Sequence, residues 1–177
     1  GDLDIAVADS NGSRLVVLWQ TGRGSFDPVE TVLGGKSSTV FPYRIQAVDI
    51  DGNGLLDLLT TDWAGDHLTV FLQSSAGVFD PNPLVVGDVR ATPWTLDVRA
   101  ADVDGDGDID LVSATGQVSQ ASIFWQTAQG TFDPHPLRLG TRSAGVLAGP
   151  AISVECARSL DWADAAAAAS PLPLGEG

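Results

Sequence analysis

Short apolar runs alternate with Gly- and Asp-rich turns along most of the chain. Residues 44–48 alternate polar and apolar side chains, which is the pattern of a half-buried strand. Residues 56–61 form a mostly apolar run after an Asp/Gly turn, and residues 67–73 and 83–86 complete a set of four predicted strands. Because turn residues separate these short strands closely, no room is left for a helix, and we predict an all-β fold.

One predicted strand, at residues 14–19, is apolar on both faces. A strand with one face in water would alternate polar and apolar residues, so this strand is expected to be covered on each side by a neighbouring sheet. Stacked four-stranded sheets, such as the blades of a propeller, provide that environment.

The turns recur with a constant period. Gly24, Gly77 and Gly130 each precede x-Phe-Asp-Pro, and both 77 − 24 and 130 − 77 give 53 residues. The same register holds for the dipeptides at 19–20, 72–73 and 125–126 and for Gly34, Gly87 and Gly140. A fixed period near this length indicates stacked supersecondary units, each burying its apolar face against the next.

The tryptophans divide into two groups. Trp19 and Trp125 share a register position with Leu72, and a position that accepts leucine is predicted to belong to the core. Trp63 and Trp94 lie near predicted turns or strand ends, where ligand binding is an alternative to packing.

Acidic residues are concentrated between the first and second predicted strands of each unit. One loop reads DIDGNGLLD over residues 49–57, and the next reads DVDGDGDID over residues 102–110. Gly54 and Gly107 stand at the sixth place, where glycine permits a sharp curl that lets the oxygen-bearing side chains converge. A set of hard oxygens without His or Cys suits Ca²⁺ better than a transition metal.

The alternative is that both loops are ordinary Asp/Gly hairpin turns that hold no ion. In the second loop, however, five carboxylates fall within nine residues and would repel one another without a counterion. The first loop has Asn53 in place of one Asp, so it is predicted to bind the metal more weakly.

Composition limits the class of partner. The formal net charge of −14 would repel a nucleic-acid backbone, so nucleic acid is not an expected partner. No run of about 18 apolar residues predicts a membrane span. Cys156 stands alone and is interpreted as a small buried hydrophobic residue. His67 and His135 lie outside the repeat register and near no catalytic motif, so surface or turn positions are predicted for them.

The Asp loops, the apolar strand after each and the following Gly-x-Phe turn resemble the FG-GAP/VCBS repeat family, which includes the propeller heads of integrin α subunits. The resemblance covers residues 1–164 and implies a partial β-propeller of about three four-stranded antiparallel blades with a 53-residue repeat. The implied units are a partial blade 1–41, blades 42–92 and 93–145, the start of a fourth blade 146–164, and an unrelated, disordered tail 165–177.

The resemblance also implies two Ca²⁺ sites, each in the loop between the first two strands of a blade. The first site would use the side chains of Asp49, Asp51, Asn53 and Asp57 and the carbonyl of Leu55. The second would use the side chains of Asp102, Asp104, Asp106 and Asp110 and the carbonyl of Asp108. The chain opens at the sixth place of an earlier loop, in which only Asp4 matches a ligand position. No site is predicted there, and the natural protein is expected to extend upstream.

The implied function is a calcium-stabilised binding or adhesion scaffold, extracellular or at the cell surface, with a protein or glycan ligand. The chain itself is not expected to be an enzyme, and further chain segments are expected to complete the propeller. Two alternatives stay open: a lectin-like glycan-binding propeller that uses Trp63 or Trp94, and a non-catalytic propeller part of a secreted polysaccharide-active hydrolase or lyase.

Overall fold

The computed structural model describes residues 3–116 and 120–140. These residues form strands and turns without a helix, and all their strand pairs are antiparallel, which confirms the predicted all-β class. No segment of this described part is a helix able to cross a membrane. The predicted fourth unit, the predicted tail and Cys156 lie outside the described residues.

The strands fall into three consecutive sets, which we call the first, second and third blades. The first blade contains β1 (Ile5–Asp9), β2 (Arg14–Leu18), β3 (Gln20–Gly22), β4 (Ser25–Phe26) and β5 (Thr31–Leu33). The second contains β6 (Pro42–Val48), β7 (Asp57–Asp62), β8 (His67–Phe71), β9 (Gln73–Ser75), β10 (Val78–Phe79) and β11 (Leu84–Val86). The third contains β12 (Thr95–Ala101), β13 (Asp110–Thr115), β14 (Gln120–Phe124), β15 (Gln126–Ala128), β16 (Thr131–Phe132) and β17 (Leu137–Leu139).

The blades share one topology. The main sheet of the second blade has the order β6-β7-β8-β11, and that of the third has the order β12-β13-β14-β17. Before its last main strand, each of these blades inserts a two-stranded ribbon, formed by β3-β4, β9-β10 or β15-β16. The sheet of the first blade has the order β1-β2-β5, so among the described residues it shows no counterpart of β6.

One predicted strand boundary is wrong. The predicted strand 67–73 is divided, because β8 ends at Phe71 and Gln73 begins the ribbon strand β9. At this point the carbonyl of Leu72 accepts a hydrogen bond from the backbone N–H of Asp80 (2.8 Å), which turns the chain out of the main sheet. The alternation of side chains continues through this turn, so the hydrophobic pattern alone does not reveal it.

The core lies between adjacent blades. Neighbouring residues on β7 point to opposite sides, with Leu58 in a cluster shared with the first blade and Leu59 in a cluster shared with the third. On β2, Leu15, Val16 and Val17 are all buried, as predicted for a strand covered on both faces. The first cluster consists of Leu15, Val17, Leu58 and Phe71, and the second includes Ile50, Leu59, Leu68, Val70, Val98, Leu111 and Phe124.

The repeat position shared by Trp19 and Leu72 packs against the hydrophobic core. Trp19 packs, partly buried, against the first core cluster, and Leu72 packs in the same way against the second. The indole N–H of Trp19 donates a hydrogen bond to Thr31 Oγ1 (2.8 Å). Packing against the core was the prediction for this position.

A repeated threonine connects each blade to the next. Thr39 Oγ1 donates to the carbonyl of Ser13 (2.5 Å), and Thr92, 53 residues later, donates to the carbonyl of Asp66 (2.6 Å). Gly87 lies against Thr92 with φ of +92°, and a Cβ at this position would come within 2.5 Å of the threonine hydroxyl. The hydroxyl bond and the close glycine thus occur together at this connection.

Candidate metal centres

The two Asp loops lie at the same end of their blades. The second-blade loop joins β6 to β7, and the third-blade loop joins β12 to β13. Gly54 and Gly107, at the sixth place of their loops, have φ of +86° and +100°. These left-handed conformations suit glycine and produce the sharp curl that the sequence pattern predicts.

Each loop brings three carboxylates together, with one oxygen of each within 4.8 Å of the others. The trios are Asp49, Asp51 and Asp57 in the second-blade loop and Asp102, Asp104 and Asp106 in the third-blade loop. Ca²⁺ is held by six to eight oxygens at about 2.3–2.6 Å, so oxygens at this mutual separation fit a shared calcium ion. The donor set therefore fits the metal that the sequence pattern predicts.

In the second-blade loop, Asn53 lies between the acidic residues and the ribbon. Its amide Nδ2 donates to the carbonyl of Gln73 (2.9 Å) and to Asp51 Oδ2 (3.2 Å). Its Oδ1 accepts from the backbone N–H of Leu55 (2.7 Å). Asp49 accepts from the backbone N–H of Asn53 (3.0 Å), so the loop is organised by side chain to backbone bonds. Metal ligation by Asn53 Oδ1 and by the Leu55 carbonyl stays a prediction.

In the third-blade loop, the carboxylates are more exposed and bond mainly to the loop backbone. Asp102 Oδ1 accepts from the N–H of Gly105 (2.7 Å), and Asp104 Oδ1 accepts from the N–H of Asp106 (3.1 Å). Asp106 Oδ1 accepts from the N–H of Asp108 (2.8 Å). Ligation by the Asp108 carbonyl stays a prediction.

The ninth residue of each loop is a buried carboxylate that ties the loop to the first residue of the ribbon, just after the third main strand. Asp57 accepts hydrogen bonds from the backbone N–H groups of Ile50 (2.8 Å) and Gln73 (2.7 Å). Asp110 makes the equivalent bonds with the residues 53 positions later, at 3.0 and 2.9 Å. Asp57 belongs to its carboxylate trio, whereas Asp110 is outside the trio of its own loop. Ligation by Asp110 is thus a prediction that would require its carboxylate to serve the backbone and the ion together.

Burial raises the pKa of the Asp57 carboxyl above its ordinary value, because the loss of solvation outweighs the backbone hydrogen bonds from Gln73 and Ile50 that lower it. The negative charge of Asp51 raises this pKa further. A nearby cation would favour the ionised carboxylate and oppose both effects.

Comparison with known proteins identifies the repeat. The FG-GAP-like repeat family matches residues 1–60, 49–113 and 102–154, and the second and third matches begin at the first residues of the two Asp loops. This chain belongs to the FG-GAP-like repeat family. No curated protein matches it. The repeats and the three antiparallel blades together confirm the predicted partial β-propeller.

The FG-GAP blades also use a glutamine to which the sequence analysis assigned no role. Gln73 donates from Nε2 to the carbonyl of Leu56 (2.7 Å), and its Oε1 accepts from the N–H of Gly77 (2.8 Å). Gln126 repeats both bonds and also donates to the carbonyl of Ile50 in the second blade (3.1 Å). The sequence signal for this role is the recurrence of Gln at 20, 73 and 126 with the 53-residue period.

The predicted surface or turn position is wrong for His67. This residue begins β8 with its side chain only 15% exposed, and its Nε2 lies 3.1 Å from Oδ2 of the fully buried Asp62. The hydrogen bond to Asp62 is the main cause that raises the pKa of His67 to about 9, so the imidazole is charged at neutral pH. A buried carboxylate needs a compensating cation, which explains why the ring lies inside. His135 is exposed, as predicted.

Proposed function

We propose that this FG-GAP chain is a calcium-stabilised binding scaffold that works outside the cell or at its surface. The observation that supports the proposal is the occurrence, in two successive blades, of a hairpin loop with three carboxylate oxygens within 4.8 Å of one another. When bound, Ca²⁺ would supply the positive charge that lets these carboxylates remain close together.

The contacts of the loops suggest how they stabilise a blade. Asp57 and Asp110 join each loop to the backbone at the start of the ribbon that follows the third main strand. Gln126 extends the connection from the third blade to the Ile50 carbonyl in the second-blade loop. An ordered loop would therefore hold its own hairpin and, through Gln126, the adjacent blade.

The extracellular setting is proposed from the metal chemistry and from the family resemblance. Extracellular calcium modules bind with dissociation constants of about 10⁻⁴–10⁻³ M, a range suited to a structural ion in a calcium-rich medium. The partner proposed for the scaffold is a protein or a glycan, and a net charge of −14 disfavours polyanions. That the chain itself is not an enzyme stays a prediction.

Calcium titration of the full 177-residue chain tests the proposal. We expect calorimetry to detect calcium uptake at two sites and thermal melting to shift upward with calcium. The shift should disappear when EGTA is added, and Mg²⁺ should give a smaller shift because it demands a tighter octahedral geometry. A folded chain that takes up no calcium and melts identically with and without chelator would contradict the proposal.

The third-blade loop offers a matched pair of variants. Asp106→Asn removes a carboxylate from the trio, whereas Asp108→Asn removes the same charge from a residue predicted to contribute only its carbonyl. We expect Asp106→Asn to weaken calcium binding about tenfold and Asp108→Asn to have a clearly smaller effect. Equal losses would mean that only total charge matters and that no specific ligand set exists.

A further inference from the structure

Three aromatic side chains, Phe41, Trp63 and Trp94, form a cluster at the end of the blades opposite the metal loops. We call this cluster the aromatic patch. Its rings contact edge to face, with centroid distances of 6.4 Å between Phe41 and Trp63 and 5.3 Å between Trp63 and Trp94. Phe41 precedes β6, Trp63 follows β7 and Trp94 precedes β12, so the patch bridges the second and third blades.

The patch is exposed although its rings are large. The exposed fractions of Phe41, Trp63 and Trp94 are 44%, 38% and 46%. Core packing therefore leaves roughly two fifths of the surface of these residues open to solvent. An exposed apolar cluster in a protein of net charge −14 is a candidate contact surface for a ligand.

Backbone conformation gives a second, independent reason to assign a role to these rings. Phe41 and Trp94 have φ of +55° and +50°, in the left-handed region that bulky residues rarely adopt. The two residues are 53 positions apart, so this conformation belongs to the repeat. A glycine would satisfy such a turn without strain, and the presence of Phe and Trp indicates that their side chains serve another purpose.

The fold does not require Trp63 either. The N–H of Trp63 donates to the carbonyl of Phe41 (3.2 Å), and at the equivalent point of the third blade the N–H of Gly116 donates to the carbonyl of Trp94 (3.1 Å). The same backbone bond thus forms with a glycine in one blade and a tryptophan in the other. The ring of Trp63 is therefore not needed for the backbone bond that the two blades share.

The patch is also fixed in position before any ligand arrives. The backbone N–H of Trp94 donates to Asp66 Oδ1 in the second blade (2.9 Å), which holds the third-blade ring beside Trp63. The carboxylate of Asp66, partly exposed, is an acceptor next to an aromatic surface.

We infer that the aromatic patch binds the pyranose rings of neutral oligosaccharides. One face of a pyranose presents several C–H bonds with partial positive charge, which fit the negative face of an aromatic ring, while sugar hydroxyls can donate to a carboxylate such as Asp66. Nucleobases also stack on aromatic rings, but their phosphates would be repelled by the net charge of −14. The inference rests on the proposed function as a binding scaffold and names the class of ligand.

Glycine substitution separates a ligand-binding role of the rings from a structural one. Trp94→Gly removes the ring and also relieves the positive-φ strain, so we expect an unchanged or higher melting temperature. Binding to neutral oligosaccharides should fall at least tenfold, and Phe41→Gly should act in the same direction. The control is Phe26→Ala, which removes a ring of similar exposure (39%) at the end of the first blade that corresponds to the metal loops.

The probe is an immobilised panel of neutral hexose and N-acetylhexosamine oligosaccharides, with sulfated and sialylated ones as the charge contrast. The strongest binder is then titrated against the full chain by calorimetry. We expect retention of neutral members, weak retention of anionic ones, loss with Trp94→Gly and no change with Phe26→Ala. The absence of binding by the folded chain, equal binding by Trp94→Gly, or a lower melting temperature of that variant would overturn the inference.

Two further readouts separate this inference from its competitors. The seven residues of β6, about 20 Å at a strand rise of roughly 3.3 Å, separate the patch from the metal loops, so Trp94→Gly should leave calcium titration unchanged. Calcium uptake without glycan binding would refute the inference alone, whereas failure of calcium uptake would refute the proposed scaffold. If light scattering showed that Trp94→Gly converts a dimer to a monomer and no glycan bound, the occupant would be a second copy of the chain.

Discussion

The second and third blades have the same strand order but different chemistry at equivalent positions. Where β7 ends and β8 begins, the second blade pairs the fully buried Asp62 with His67, whose pKa is raised to about 9 by this contact. The third blade has Thr115 and Gln120 at these places, and Thr115 Oγ1 donates to the Gln120 carbonyl (3.1 Å). The corresponding residues of the first blade, Asp9 and Arg14, form an ion pair nearer the surface.

Both blades also contain a hydrogen bond from a side-chain hydroxyl on the third main strand to a backbone carbonyl in the segment that precedes the blade or its first strand. Thr69 Oγ1 lies 2.8 Å from the carbonyl oxygen of Ser38 and also within hydrogen-bond distance of Asp62 Oδ2. Ser122 Oγ, 53 residues later, donates to the carbonyl of Ala91 (2.6 Å). The second blade adds a buried charge pair to this bond, and Asp62 Oδ1 has no hydrogen-bond partner among residues 3–116 and 120–140. The hydroxyl bond therefore occurs in both blades, beside an Asp–His pair in one and a neutral pair in the other.

The largest effect is expected where the two blades are alike. Asp57→Ala leaves two buried backbone N–H groups without an acceptor and should lower the free energy of unfolding by about 4 kcal/mol. Asp110→Ala leaves one buried and one partly buried N–H group without an acceptor, so its loss should be somewhat smaller. Urea denaturation in EGTA measures the loss without any contribution from calcium. Asp4→Ala is the control, because Asp4 accepts the equivalent bond from Gln20 (2.8 Å) at an exposed position. A loss as large for Asp4 would show that burial is not the cause.

The second prediction concerns the point at which the blades differ. His67→Gln leaves Asp62 buried without a cation and should lower the free energy of unfolding by about 3 kcal/mol near pH 6. Because the folded pKa of about 9 lies above the ordinary value of 6.5, the stabilisation is complete below pH 6.5 and is lost as the pH rises through 9. The difference between wild type and variant should therefore shrink towards pH 10.

Two variants provide the comparison for this pH dependence. The double variant Asp62→Thr with His67→Gln copies the third blade into the second, and it should recover most of the loss and remove the pH dependence. His135→Gln changes an exposed histidine and should have no effect. A constant difference between wild type and His67→Gln from pH 6 to pH 10 would be incompatible with the charge pair.

A smaller and equal effect is expected at the glycines that pack against the connecting threonines. In Gly87→Ala and Gly34→Ala, the new Cβ would lie 2.5 Å from the hydroxyl oxygen of Thr92 or Thr39, at positive φ. Each should cost about 2 kcal/mol in urea denaturation. Gly22→Ala is the control, because no atom lies within 4 Å of its Cβ position. Unequal losses at Gly34 and Gly87 would show that the connections between blades are not equivalent.

The smallest effect should appear at the metal loops. Asn53→Asp gives the second-blade loop the fifth-place carboxylate of the third, and its calcium affinity should rise about tenfold, which equals about 1.4 kcal/mol. The loss of the amide bond to Gln73 (2.9 Å) opposes this gain. Asn11→Asp adds the same charge to an exposed turn of the first blade and should leave the affinity unchanged. A drop in affinity with Asn53→Asp would show that the amide bond outweighs the added ligand charge.

Local patterns predicted the parts of the fold that depend on neighbouring residues. Alternation and turn residues located β6, β7 and the fourth strand of the second blade within a few residues. The end of β8 was missed because a backbone bond to Leu72 from a residue eight positions later, Asp80, produces the turn. The burial of His67 was missed for a similar reason, since its partner Asp62 is recognisable only when β7 and β8 are paired.

The sequence by itself determined the 53-residue repeat, the all-β class and the two acidic loops, because period, turn chemistry and charge density are properties of the chain read in order. Only the tertiary structure decided that Asp110 lies outside the carboxylate trio of its own loop and accepts instead from the backbone N–H of Gln126, 16 residues later. It also placed three rings from two blades in one aromatic patch. Such contacts join residues far apart in the chain, and their geometry is set by the packing of whole blades.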